Sequence, residues 1–143
     1  IVGGYRKDKS LYFESLQKLV TDHKLADQVI FAGNQEDMTS IYALSDIVVN
    51  ASLKMGNVGR TVVEALALGT PVIATTFEGL RNLIEDDKNG YVIKNKDING
   101  LTGALLRTIR TSFSEEKIRA TVPEEYTLDQ MVKRILSVYQ ELL

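Results

Sequence analysis

The 143 residues carry 17 Lys and Arg against 19 Asp and Glu, a net charge of -2, with 44% hydrophobic residues, no cysteine and one histidine. That balance suits one globular domain able to bury a core. It supplies neither the basic footprint that nucleic acid or an anionic membrane requires nor the material for a disulfide framework, a thiolate metal site or a histidine cluster. Apolar runs stay short of the roughly 20 residues that span a bilayer, so the expectation is a soluble, cytoplasmic protein without a transmembrane segment.

In chain order, Ile1-Val2 reads as the end of a buried strand running into a turn at Gly3-Gly4, and without an initiator methionine the sequence reads as a fragment. Phe13, Leu16, Leu19 and Val20 then recur at helical spacing over residues 10 to 24. A second strand is expected over Val29 to Ala32, closed by Gly33, followed by a short helix capped by Asp37 and carrying Ile41, Tyr42 and Leu44. Ile47 to Val49 reads as a third strand. A long glycine-bearing turn then leads into a helix that starts near Gly59, carries Val62, Val63, Leu66 and Leu68, and stops at Gly69 ahead of Pro71. Val72 to Ala74 and Gly90 to Ile93 complete the strands. Asp97, Ser114 and Thr127 are candidate helix caps, the last in a capping box with Gln130. Alternation of short β-rich runs with helical patterns predicts an α/β domain, a Rossmann-like parallel sheet with helices on both faces. Such sheets bind ligands outside the carboxyl ends of their strands, which directs attention to the loops after Gly33, Ala51 and Ala74.

The stretch GRTVVEALALGTPVIAT, residues 59 to 75, sets Glu64 inside an otherwise apolar helix. Two readings follow from spacing alone. Glu64 faces solvent as an ordinary helix former, or it accepts hydrogen bonds from ligand hydroxyls beneath a glycine loop. Under the second reading Gly56, Asn57 and Gly59 let backbone approach the ligand, and the free N–H groups at the helix start suit a phosphate. His23 sits near a helix end where it favours the dipole, and Asp86-Asp87 falls in a polar turn before Gly90; no metal site is expected.

The runs SLKMGNVGRTVVEALALGTPVIAT, EGLRNLI and NGYVI, preceded by VIFAGNQEDMTSIYALSDIVVNAS and followed by TLDQMVKRILSVYQELL, cover most of the chain. Together they resemble the C-terminal half of the group 1 glycosyltransferases of GT-B architecture. The resemblance implies a donor-binding domain, residues 1–143, whose N-terminal acceptor domain and first strand lie outside this sequence. It also implies a retaining hexosyltransferase, active as the full-length protein and inactive as this piece, that moves a sugar from a nucleotide-diphosphate sugar to a glycan or lipid acceptor in surface polysaccharide assembly. The donor is a substrate, and no cofactor or metal is implied. Peripheral association with the inner membrane belongs to the same family habit.

Residue by residue, Glu64 matches the second of two family glutamates, the one that binds the donor ribose. The first, which touches the transferred sugar, falls on Gly56, a departure from the pattern. Gly56, Asn57, Val58, Gly59, Arg60 and Thr61 take the place of the segment facing the donor sugar and diphosphate, with Asn57-Val58-Gly59 in place of the more usual glycine, aromatic, glycine turn. Phe31, Gly33, Asn34 and Met38 are the candidates beside the nucleobase, and Arg60 and Arg81 are candidate phosphate partners. A second departure is Glu78-Gly79 followed by Asn82, where the family often shows paired glycines and a glutamate. No catalytic residue is assigned. Two alternatives stay open: a non-catalytic nucleotide-sugar binder with an eroded site, and a GT-B sugar epimerase.

Overall fold

The computed structural model describes residues 1–4, 10–52, 58–75 and 82–142. They fall into two compact units, Ile1–Met38 and Thr39–Leu143.

In the first unit, α1 (Ser10–Asp22) follows the expected helical spacing, and Phe13 meets Phe31 edge to face with ring centroids 5.2 Å apart. The expected strands at Ile1-Val2 and Val29 to Ala32 reduce to one parallel bridge between Val2 and Gly33. Gly3 N–H donates to Gly33 O at 2.8 Å and Ala32 N–H donates to Ile1 O at 2.9 Å. The Ile1 amine also donates to Ile30 O at 2.6 Å, so the two segments run side by side up to the points where the backbone turns, at Gly3 (φ +129) and Gly33 (φ +66).

The second unit holds the sheet. β1 (Val48–Asn50), β2 (Val72–Thr75) and β3 (Gly90–Ile93) are parallel in the order β1-β2-β3, with Val48 opposite Val72 and Val72 opposite Gly90. β1 lies one residue later than the sequence suggests. β2 is buried along its whole length, with Val72, Ile73 and Ala74 at 0% exposure and Thr75 at 2%. A central parallel strand is covered on both faces, which is why its sequence is nearly all apolar instead of alternating. α3 (Val58–Ala67) connects β1 to β2 and packs on both, and α4 (Ile98–Arg110) follows β3 and packs on β3 and β2, so helices cover the two faces of the sheet. Ile73, Tyr91, Ile93 and Ala104 form the core beneath α4, with Leu101, Leu105 and Phe113 against it. Strand period sends Val72 and Ala74 the other way, toward α3.

The helix stops are chemical. α3 ends in a Schellman motif: Gly69 (φ +85) donates to Leu66 O at 3.0 Å, and Thr70 donates to Ala65 O at 3.0 Å. Asp97 caps α4 by accepting from Gly100 N at 2.8 Å. Ser114 caps the short α5 (Glu115–Arg119), and Ile118 is fully buried beneath it. A 3-10 turn at Glu124–Tyr126 precedes α6 (Leu128–Glu141). Only half of the expected capping box forms there: Thr127 Oγ1 accepts from Gln130 N at 3.4 Å, while the Thr127 N–H donates to Glu124 O at 3.0 Å. The sharp entry to β3 is fixed by Asn89, fully buried, whose Oδ1 accepts from Glu85 N at 2.8 Å and whose Nδ2 donates to Leu83 O at 2.9 Å and Thr121 Oγ1 at 2.7 Å. Gly90 follows because a Cβ there would lie 1.9 Å from Val72 O.

Candidate functional site

Parallel pairing brings Asn50, Thr75 and Ile93 to one end of the sheet, the carboxyl end. At that end Thr75 Oγ1 donates to Ser52 O at 2.7 Å, and Ser52 Oγ donates to Asn50 Oδ1 at 2.8 Å. These bonds tie the exit of β1 to the exit of β2, so the chain that leaves β1 toward α3 departs from a fixed point.

α3 begins at Val58, so the first-turn N–H groups of Val58, Gly59 and Arg60 have no partner inside the helix and point out of its start. Arg60 is exposed there and Thr61 half-buried. A Cβ built on Gly59 meets nothing within 4 Å among the described residues. Among the described residues, packing therefore does not require glycine at that position.

Glu64 lies six residues beyond Val58, about 9 Å along the axis at the helical rise. The reading in which it is a free solvent-facing side chain does not describe it. Glu64 is half-buried, and its Oε2 accepts a hydrogen bond from the Tyr42 hydroxyl at 3.0 Å. Tyr42 belongs to α2 (Met38–Ala43) and is 5% exposed. Burial raises the phenol above its ordinary pKa of 10.0, and the bond to Glu64 adds to the rise, while a side-chain hydrogen bond with Thr61 opposes it. The tyrosine is thus a neutral donor aimed at a carboxylate, and a bond of that kind is among the stronger ones a side chain makes. Glu64, Tyr42 and Thr61 form one cluster behind the start of α3.

The other candidates divide. Gly56, Asn57, Glu78, Gly79 and Arg81 lie outside the described residues. Phe31, Gly33, Asn34 and Met38 belong to the first unit, where the Phe31 ring packs on Phe13 and Gly33 forms the bridge to Val2. Asn34 is exposed and Met38 half-buried at the start of α2. His23 is exposed in the turn after α1, and its N–H donates to Leu19 O at 3.1 Å. Asp87 accepts from the Tyr91 hydroxyl at 2.6 Å, a bond within the turn into β3. Among the described residues no group of three or more His, Cys, Asp or Glu is placed to hold a metal ion, and no helix is long and apolar enough to cross a membrane.

Two features escaped the sequence. One is Tyr42, read there as part of an apolar stripe; the available signal was that a buried tyrosine needs a partner for its hydroxyl. The other is an open cleft of about 670 Å³ lined by residues that include Asp46, Thr70, Thr111, Phe113, Glu115 and Arg119. It lies at the amino ends of β1 and β2, opposite to the end at which such sheets bind ligands. Its one arginine is engaged, Nη2 of Arg119 donating to Leu68 O at 3.0 Å and Glu115 Oε2 at 2.7 Å.

Comparison with known proteins bears on the carboxyl end. A family model described as glycosyl transferases group 1 matches residues 1–124. N-acetyl-alpha-D-glucosaminyl L-malate synthase of Bacillus anthracis is 25% identical over 135 residues, covering 92% of this chain and 35% of that protein. D-inositol 3-phosphate glycosyltransferase of Acidothermus cellulolyticus is 29% identical over 147 aligned positions, 100% of this chain and 33% of its own length. The chain thus spans about a third of the length of these curated relatives. Among solved structures, Anabaena HepE in complex with UDP superposes with a TM-score of 0.89 at 23% identity, over 98% of this chain and 40% of that one. Sucrose-phosphate synthase from Thermosynechococcus elongatus superposes at 0.83 and 24% identity, over 99% and 37%. At such identity the likeness is one of fold.

Proposed function

The chain belongs to the group 1 glycosyl transferases and has the fold of the C-terminal part of GT-B enzymes, and from that premise we propose that it is the donor-binding half of a longer retaining hexosyltransferase. In this reading Glu64 accepts the ribose hydroxyls of a nucleotide-diphosphate sugar. The N–H groups of α3's first turn, with Gly56 to Thr61, face the diphosphate and sugar, and Phe31, Gly33, Asn34 and Met38 lie beside the base. The rest of the polypeptide supplies the acceptor site, for a glycan or lipid hydroxyl in the cytoplasm. That hydroxyl bonds to the anomeric carbon on the face from which the nucleoside diphosphate departs, and the diphosphate takes its proton. No cofactor beyond the donor is proposed.

The observation that carries the reading is the setting of Glu64: a half-buried carboxylate behind a helix start that no described residue fills at Gly59, at the carboxyl end of a parallel sheet. HepE, which shares the fold, has been solved with UDP and with UDP-glucose, and that supports a nucleotide sugar as the ligand class. A second reading, binding without transfer, is favoured by Gly56 standing where the family has a glutamate.

Calorimetric titration of the chain with UDP, GDP and ADP tests the proposal. One of the three binds, and Glu64→Ala weakens it by roughly tenfold to a hundredfold, the worth of hydrogen bonds to a charged group. Binding of none, or equal affinity in Glu64→Ala, overturns it. Sugar transfer by the full-length protein separates the two readings.

A further inference from the structure

Tyr42 grips α3 at two levels. Its hydroxyl donates to Glu64 Oε2 at 3.0 Å, and its backbone carbonyl accepts from Thr70 Oγ1 at 2.8 Å, just past the helix end. The side chain is 5% exposed, so a phenol with no acceptor here would be a buried unsatisfied group. The bond also acts on the carboxylate. A glutamate has three side-chain torsions, and a free one samples many rotamers; one oxygen tied to a buried ring narrows the directions in which the other can point. Among the described residues Oε1 accepts no hydrogen bond, so it is the oxygen left for a ligand.

We propose that Tyr42 is a positioning residue for the donor ribose, holding Glu64 through Oε2 so that Oε1 is presented to the ribose hydroxyls. The proposal rests on the reading of Glu64 given above. Tyr42 itself touches no substrate in it. It sets the orientation of the group that does, and the ordering of that carboxylate precedes ligand arrival instead of being lost on binding.

A ratio of affinities isolates this role from general damage to the fold. The full chain is titrated with UDP, GDP or ADP, whichever binds, and with the matching 2′,3′-dideoxy nucleoside diphosphate. In the wild type the ribose form binds more tightly, and Glu64→Ala brings the ratio close to one. Tyr42→Phe, which keeps the ring, lowers the ratio by roughly threefold to tenfold, the worth of one side-chain hydrogen bond, with the dideoxy affinity unchanged. If Glu64→Ala removes the preference and Tyr42→Phe leaves it whole, the inference falls while the Glu64 reading stands. If the wild type shows no preference, or Glu64→Ala retains it, both fall. Should Tyr42→Phe weaken the dideoxy ligand as well, the 13Cζ resonance of Tyr42 in the wild type decides: it shifts with the ribose nucleotide and stays in place with the dideoxy one, and equal shifts with both overturn the inference.

Discussion

α3 and α6 are both amphipathic helices with one apolar stripe, yet they meet opposite fates. On α3, Val62, Ala65 and Leu66 are at 0%, 0% and 1% exposure, sealed against β1 and β2. On α6, Leu128, Met131, Ile135 and Tyr139 are at 69%, 50%, 48% and 64%, and the helix packs mainly on the 3-10 turn before it. Periodicity tells which face of a helix wants apolar cover; it is silent on what provides it. α3 is covered because a βα crossover must return the chain to the neighbouring parallel strand, which lays the helix across the sheet. No such constraint acts on α6, which no strand follows among the described residues.

The sharpest way to break this comparison is truncation of the covered stripe. Leu66→Ala should cost about 2–5 kcal/mol by chemical denaturation, the usual range for a buried leucine in a core that cannot collapse. A loss below about 1 kcal/mol would mean that α3 is not seated as described. Next in size, and opposite in sign, is Gly59→Ala. The added methyl meets no described atom and removes a glycine from a helix, so it should stabilise the chain by about 0.5 kcal/mol. Nucleotide affinity in the same variant should fall, because the methyl occupies the space beside the helix start. Destabilisation would show that the fold, and not a ligand, demands the glycine.

How much of this was legible beforehand follows the range of the interactions. Gly69, Asp97, Ser114 and Thr127 were read correctly as helix ends because a cap is completed within a few residues. β2 and β3 were found because their apolar runs are short and bounded, whereas β1 slipped by one residue, its ends set by pairing with β2. Val29 to Ala32 has strand composition and does lie beside Ile1 to Gly3, with Ile1 N donating to Ile30 O and Ala32 N to Ile1 O, but the pairing counts as a single bridge at Val2 and Gly33. At the site, Glu64 stood out as a lone carboxylate among apolar residues, and resemblance gave it a role. Its partner was hidden by a separation of 22 residues. No periodicity links Tyr42 to Glu64; only the fold of the second unit, which holds both, does.

The smallest expected effect is the counterpart on α6. Ile135 is 48% exposed, so truncation gives up only part of the side chain's burial. Exchanging a β-branched residue for alanine in mid-helix returns a few tenths of a kcal/mol through propensity. The two terms oppose each other, and Ile135→Ala should lie within about 0.5 kcal/mol of the wild type, as surface substitutions do. The measurement is denaturation at two protein concentrations a hundredfold apart. A loss approaching that of Leu66→Ala at both would place the α6 stripe in contact with its own chain and erase the contrast with α3. A loss that grows with concentration would instead mean that a second molecule covers the stripe, since stability that depends on association rises by mass action.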